Sequence, residues 1–428
     1  MRMLTVLLAL GWSLHAQSDD TQLKQVIIVG RHSVRAPLYP NNILNTYSAL
    51  PFPDFGVQPQ YLTANGAALE KILGGYYRLW LTQEGLLTGN DADDAKLTYF
   101  RALNIERTMV TAQAFASGFL PAATITVNSY AQDAADPLFN PVGAGVSLLD
   151  TNKELAALEG RLGGNPQLLS TAYAPELALA RSVLLNYPTT QTPPPAAPPG
   201  ITDVTALPIT IGTGPPANLG GLSMVEDLTS IFLMEYADGM PLSSVAWGQL
   251  NADGISQISR LTSLLLDLEY KTPYLDQIQS SDLASHLVRS LSQFATATTT
   301  PGSLGTPQTK IIVLIASDVN LTGLAGLFNL DWTLPGYQAD SCAPGGAIVF
   351  QLRQSQSTKD YIVRASYIAQ GLDQLRNQTA LTLSTPPEIA PVFIPGCSTN
   401  NATFDCPLAN FMTVANGVID TRSANLVN

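Results

Sequence analysis

Two runs of uninterrupted apolar residues, Val26 to Val29 and Ile311 to Ala316, constrain the fold of this chain most. A half-exposed strand alternates apolar and polar side chains, because successive side chains point to opposite faces. A run without alternation needs cover on both faces, as in the central parallel strands of an α/β sheet. A buried helical segment would share the composition, but both runs stop abruptly at Gly or a polar residue. Leu97 to Ala102 is a third strand candidate. Gly346 to Leu352 and Tyr361 to Ala369 read as two late strands joined by a polar turn. Helical spacing governs Gly66 to Leu81, where Leu69, Leu73, Tyr76 and Tyr77 recur on one face, and also Arg107 to Phe119 and Ile255 to Leu268. The segment 187–200, with Pro193-Pro194-Pro195, is excluded from helix and central strand alike. It is expected to be an exposed, stiff loop within a mainly helical middle region. No internal repeat is present.

The ends of the three strand candidates carry the chemistry. In open α/β sheets, ligands bind beyond the carboxyl ends of strands. The first run empties into Gly30-Arg31-His32-Ser33-Val34-Arg35-Ala36-Pro37, and the second into Ser317-Asp318-Val319-Asn320. The third is followed by Glu106-Arg107-Thr108 at the start of a helix. Three arginines, a histidine and an aspartate thus face one crevice, in a chain with only 21 Lys and Arg among 428 residues. Planar guanidinium groups grip the non-bridging oxygens of a phosphate bidentately, which suits Arg31, Arg35 and Arg107. A neutral imidazole is a competent nucleophile, and positive charge around His32 favours its neutral form. A leaving alcohol needs a proton, which Asp318 supplies if it is protonated. Asp318 also suits the N-cap of a helix leading into Leu321 to Leu327, a use compatible with catalysis.

The segment Arg31-His32-Ser33-Val34-Arg35-Ala36-Pro37 resembles the RHxxRxP signature of the histidine acid phosphatases, a family that includes bacterial phytases and glucose-1-phosphatase. The likeness continues through Leu62-Thr63 with Gly66, Glu106-Arg107-Thr108, Asp136-Pro137-Leu138-Phe139, Gly239-Met240-Pro241 and the Cys397/Cys406 pair. It implies a phosphoglycerate-mutase-like α/β sheet domain, here 21–130 with 305–428, and a mostly helical second domain, 131–304. It also implies a phosphohistidine at His32, phosphate-gripping roles for Arg31, Arg35 and Arg107, proton donation by Asp318, and no metal or cofactor. One position departs. The family's His-Asp dipeptide reads Ser317-Asp318, so the imidazole that helps hold the phosphate is replaced by a hydroxyl donor. Leu38 and Tyr39 also follow the signature, where many bacterial phytases place a polar residue and a lysine; this weakens phytate as the substrate.

Charge and cysteine usage bound the remaining classes. Charged residues are 13% of the chain and the formal net charge is −12. That acidic balance argues against a nucleic-acid partner but not against a small anionic substrate bound by a few arginines. Residues 1–16 read as a signal peptide, with Arg2, an apolar run from Leu4 to Leu14, and the small Ala16 for cleavage. The run is shorter than the ~20 residues of a spanning helix. The mature protein is therefore expected to be periplasmic or extracellular and free of the membrane. Cys397 and Cys406, close together in a Pro-, Gly- and Asn-rich stretch, fit a loop-closing disulfide, which leaves Cys342 unpaired. With the leader removed, His32 and His286 are the remaining histidines, too few for a zinc site, and His286 on an apolar helical face reads as structural. The expected function is a secreted, metal-independent acid phosphatase acting on small phosphate monoesters. A pseudo-enzyme that binds phosphorylated ligands without turnover, motivated by Ser317, and a phosphoryl-transfer mutase are the competing readings.

Overall fold

The computed structural model describes residues 19–214 and 217–425, so the leader segment 1–16 lies outside the described residues. Eight strands form one sheet: β1 (Thr21–Arg31), β2 (Thr98–Ala102), β3 (Val127–Asn128), β4 (Ile311–Ala316), β5 (Ala347–Ser355), β6 (Tyr361–Ala369), β7 (Glu388–Val392) and β8 (Cys406–Pro407). Their order is β3-β2-β4-β1-β5-β6-β7, with β8 also paired to β6. The half from β3 to β1 is parallel and the half from β5 onward is antiparallel. All five strands expected from the sequence are present. The two central runs are buried along their whole length, as their lack of alternation requires. Edge strand β7 escaped the sequence because Pro391 argues against a strand; a proline is tolerated only where no further ladder partner needs its missing N–H.

Helices cover both faces of the sheet. Val26, Ile28, Val313 and Val349 pack on one face against Leu73, Tyr77 and Phe115 of helices Ala64–Gln83 and Glu106–Phe119. Ile27, Val29, Leu314 and Phe350 pack on the other against Leu287, Leu324 and Phe411 of helices Pro273–Thr296, Asp318–Phe328 and Leu408–Val418. A second helical cluster, built around Leu158, Phe232, Leu261 and Leu265, also receives Val34, Ala36 and Leu69 from beside the sheet. The loop after β1 is therefore wedged between two packed bodies. The helix read over 255–268 is in fact two, Ala252–Ile258 and Arg260–Tyr270. At the break the Ser259 hydroxyl donates to the Ile255 carbonyl at 2.7 Å, sharing that acceptor with the Ser259 N–H at 3.0 Å. Segment 187–200 contains neither helix nor strand and is largely exposed. Cys397 and Cys406 are joined in a disulfide with Cα atoms 5.1 Å apart, and Cys342 is free and buried.

Candidate active site

Parallel register brings the functional loops to one level. Arg31 lies opposite Ala316 across β1 and β4, and Ala102 lies opposite Ile315 across β2 and β4. The next residues, His32, Ser317 and the turn leading to Arg107, therefore leave the sheet at the same edge. The backbone extends this order past the strands: His32 N–H donates to the Ala316 carbonyl at 2.9 Å, and Arg31 N–H to Gly346 at 2.8 Å. The loop itself is clamped from outside. Glu106 accepts the Leu62 N–H at 2.9 Å, and Leu62 bridges to Arg35, so the loop carrying Arg35 and the helix start carrying Arg107 are fixed together. Gly66 lies so near Val34 that a Cβ there would sit 2.4 Å from the Val34 carbonyl oxygen; glycine permits the helix to press on the loop.

His32 is 2% exposed and sits among three guanidinium groups. Its Nδ1 lies 2.8 Å from the Ser33 carbonyl oxygen. A carbonyl only accepts, so Nδ1 carries the proton and Nε2 keeps a free lone pair. Burial, followed by the charges of Arg31, Arg107 and Arg35, holds the imidazole well below its usual pKa. The ring is therefore neutral far into the acid range. Arg31 pairs with Asp318 at 2.8 Å and also donates to the Cys342 carbonyl. Arg35 donates to the Ala36 carbonyl at 2.9 Å. The buried Nε atoms of Arg31, Arg35 and Arg107 have no hydrogen-bond partner among the described residues. Three unpaired cationic donors in one desolvated pocket fit a multiply charged anion and little else.

Asp318 opens the helix Asp318–Phe328, with Ser317 at its N-cap. Burial by itself would raise its pKa, but Arg31, His32 and a hydrogen bond from Ser317 outweigh burial and hold the carboxyl well below the usual range. The Ser317 hydroxyl donates to Asp318 Oδ1 at 2.8 Å. The serine expected to face a phosphate also contacts the neighbouring carboxylate. Asn320 ties this turn to the opposite wall, donating to the Phe139 carbonyl at 2.7 Å, and Asp136 holds that wall to β2 through Arg101 at 2.7 Å. His286 stands apart, buried on helix Pro273–Thr296 with Nδ1 against the Gly302 carbonyl.

Other groups near the site were not legible in the sequence. Glu70, 1% exposed, is pushed up to about 8 by burial beneath Ser33, and a Cβ on Gly345 (φ +70°) would come within 2.3 Å of its Oε1. Glu226 and Asp227, on helix Gly221–Ala237, are raised by burial to about 7 and about 6 against the opposing pull of Arg35. Glu269 is likewise pushed up to about 8. A cavity of about 560 Å³ opens beside Arg107, with Ser317, Asn140, Glu154 and Gln279 also in its lining. Among the described residues, no cluster of three or more His, Cys, Asp or Glu is placed to hold a metal, and no helix is long and apolar enough to cross a membrane.

Comparison with known proteins agrees with this geometry. Residues 22–368 match the histidine phosphatase superfamily (branch 2). The chain is 30% identical over 411 residues to the phytase AppA of Escherichia coli strain K12, covering 94% of each. It is 26% identical to the glucose-1-phosphatase of Salmonella typhimurium, covering 96% of each. The structure of Hafnia alvei phytase in complex with myo-inositol hexakis sulphate superimposes with a TM-score of 0.84 at 29% identity, covering 96% of this chain and 100% of that one. The chain belongs to branch 2 of the histidine phosphatase superfamily and is a phosphoric monoester hydrolase.

Proposed function

We propose that this phosphatase is exported and works at acid pH through a phosphohistidine on His32. The observation that carries the reading is the free Nε2 lone pair of a neutral imidazole set among Arg31, Arg35 and Arg107. Nε2 attacks phosphorus in line with the ester oxygen while the guanidinium groups bear the charge of the equatorial oxygens. The phosphorus–oxygen ester bond breaks, and the leaving oxygen takes a proton from Asp318. Water then attacks the phosphohistidine, the nitrogen–phosphorus bond breaks, and the Asp318 carboxylate recovers a proton from the water. Trapping with labelled substrate and an alkaline quench, which preserves a phosphoramidate, tests this directly: label should map to the peptide containing His32. Label elsewhere would overturn the mechanism.

The acid optimum follows from the order of two ionisations. Asp318 is ionised in the free pocket because Arg31 holds it there. A phosphate dianion arriving among the arginines competes for Arg31 and adds negative charge beside Asp318. Both effects raise the Asp318 pKa, so its acid form is generated in the complex. His32, pushed down, stays neutral over the same range. The Ser317 hydroxyl opposes protonation of Asp318 by donating to its Oδ1. Ser317→Ala should therefore shift the alkaline limb of the kcat profile upward by roughly 1 pH unit, since a hydrogen bond to the charged carboxylate is worth about 1.5–3 kcal/mol against roughly 0.5–1.5 for one to the neutral acid. A loss of kcat at every pH with the limb unmoved would instead assign the hydroxyl to the phosphate.

Export is supported by the apolar leader and by the disulfide between Cys397 and Cys406. Protein recovered from the periplasm or medium should begin close after Ala16. Non-reducing peptide mapping should find Cys397 linked to Cys406 and Cys342 as a thiol. Retention of the leader in cytoplasmic protein, or a bond to Cys342, would contradict the reading.

A further inference from the structure

Two hydrogen bonds to neighbouring loops hold His32, one at its ring and one at its backbone. The Ser33 carbonyl accepts from Nδ1 at 2.8 Å, and the Gly345 N–H donates to the His32 carbonyl at 3.3 Å. One side chain touches both Ser33 and Gly345. Glu70 lies on helix Ala64–Gln83 between the core residues Leu69 and Leu73, and is 1% exposed. Its carboxyl meets the Ser33 hydroxyl. A Cβ on Gly345 would lie 2.3 Å from Glu70 Oε1 and 3.8 Å from Ser33 Oγ. Beyond their mutual contact, Glu70 Oε1 and Ser33 Oγ have no hydrogen-bond partner among the described residues. The rest of this interface is tight. Gly66, one turn earlier on the helix, presses on Val34, and the Ser33 N–H donates to Thr111 Oγ1 at 3.2 Å.

A buried carboxyl costs stability that a hydrocarbon side chain in the same place would not. Burial pushes this acid up to about 8, against the opposing pull of Ser33, so it is uncharged across the acid range and its O–H is a donor. Resting on the phosphohistidine reading for the role of His32, we propose that Glu70 is a positioning residue for that imidazole, bracing Ser33 and Gly345 and so fixing the tautomer and the line of attack of Nε2. The path is short. The Glu70 carboxyl holds Ser33, and the Ser33 carbonyl keeps the proton on Nδ1, which leaves the Nε2 lone pair free. A nucleophile misplaced by about 1 Å can lose roughly a hundredfold in rate.

Trapping of label on His32 in the parent protein reports on the phosphohistidine reading alone. Glu70 is tested with Glu70→Leu, which removes the polar group, and Glu70→Gln, which keeps an uncharged donor and acceptor. Glu70→Leu should lower kcat by about tenfold to a hundredfold, equally on p-nitrophenyl phosphate and glucose 1-phosphate. KM should change by less than about threefold, because the arginines are untouched. Glu70→Gln should keep kcat within about threefold of the parent. Nitrogen-15 spectra of the histidines give a readout that needs no turnover. His32 should show the Nδ1–H tautomer in the parent and in Glu70→Gln, and a mixture of tautomers in Glu70→Leu. His286, held by the Gly302 carbonyl, should stay unchanged as the reference. A kcat within about twofold of the parent in Glu70→Leu, or equal losses in both variants with the His32 signals unmoved, would overturn the proposal. If Glu70→Leu does not fold, Ser33→Ala decides, since it deletes a single hydroxyl. There kcat should fall by roughly threefold to tenfold with the tautomers mixed, and an unchanged rate and spectrum would refute the role of Glu70.

Discussion

His32→Ala is expected to lower kcat on any phosphate monoester by roughly four orders of magnitude or more, the scale of losing a covalent nucleophile. No neighbour can take over its task. The remaining groups around the phosphate are arginines, which cannot attack phosphorus, and a carboxylate held away by its own ion pair with Arg31. The arginine pocket survives the substitution, so inorganic phosphate should still bind. The substitution leaves a small cavity and frees the Ser33 carbonyl from its hydrogen bond, so a modest fall in melting temperature with the fold retained is expected. Steady-state kinetics, a melting curve and phosphate titration on one preparation distinguish loss of chemistry from loss of structure. Activity within tenfold of the parent would end the phosphohistidine proposal. A pseudo-enzyme would show the reverse pattern, with the parent and the variant both inactive and both binding phosphate.

The parts of this fold that were readable in advance share a cause. Val26 to Val29 and Ile311 to Ala316 are buried on both faces, and nothing but a central strand accepts such a run. Once those strands are parallel, the positions of His32, Ser317 and Arg107 follow from register, because each lies just beyond a strand end. What stayed hidden depended on contacts that no local pattern encodes. Glu154 sits in a polar stretch of helix that reads as a solvated surface, and its burial comes from the loop at Gly214, 60 residues away. Glu226 and Asp227 likewise look like ordinary helix charges until Arg35 is set opposite them. The Ser317 hydroxyl was readable as a donor, but its contact with Asp318 depends on a rotamer within the N-terminal turn.

Asp318→Asn should separate substrates by the basicity of the group that leaves. A p-nitrophenolate departs with little assistance, whereas a sugar alkoxide requires a proton in the transition state. General acid catalysis contributes typically ~10²–10⁴-fold, so glucose 1-phosphate turnover should fall by about that factor. On p-nitrophenyl phosphate the loss should be within roughly tenfold for the first step, since that leaving group needs little of the proton. The substitution also removes the carboxylate that engages Arg31 in the free enzyme. An unpaired Arg31 binds phosphate without first giving up a partner, so inorganic phosphate should inhibit the variant more strongly than the parent. The pH profile supplies the third readout. In the parent, kcat on the sugar phosphate should decline as pH rises through the pKa that Asp318 has in the complex. In the variant that limb should vanish, leaving a low and flat profile, because an amide neither gains nor loses the proton. An equal loss on both substrates, with the alkaline limb retained, would reduce Asp318 to a residue that positions Arg31 and opens its helix. In that case the proton would have to come from another acid. Glu226, pushed up to about 7 and interacting with both Arg35 and Asp318, would be the next residue to replace.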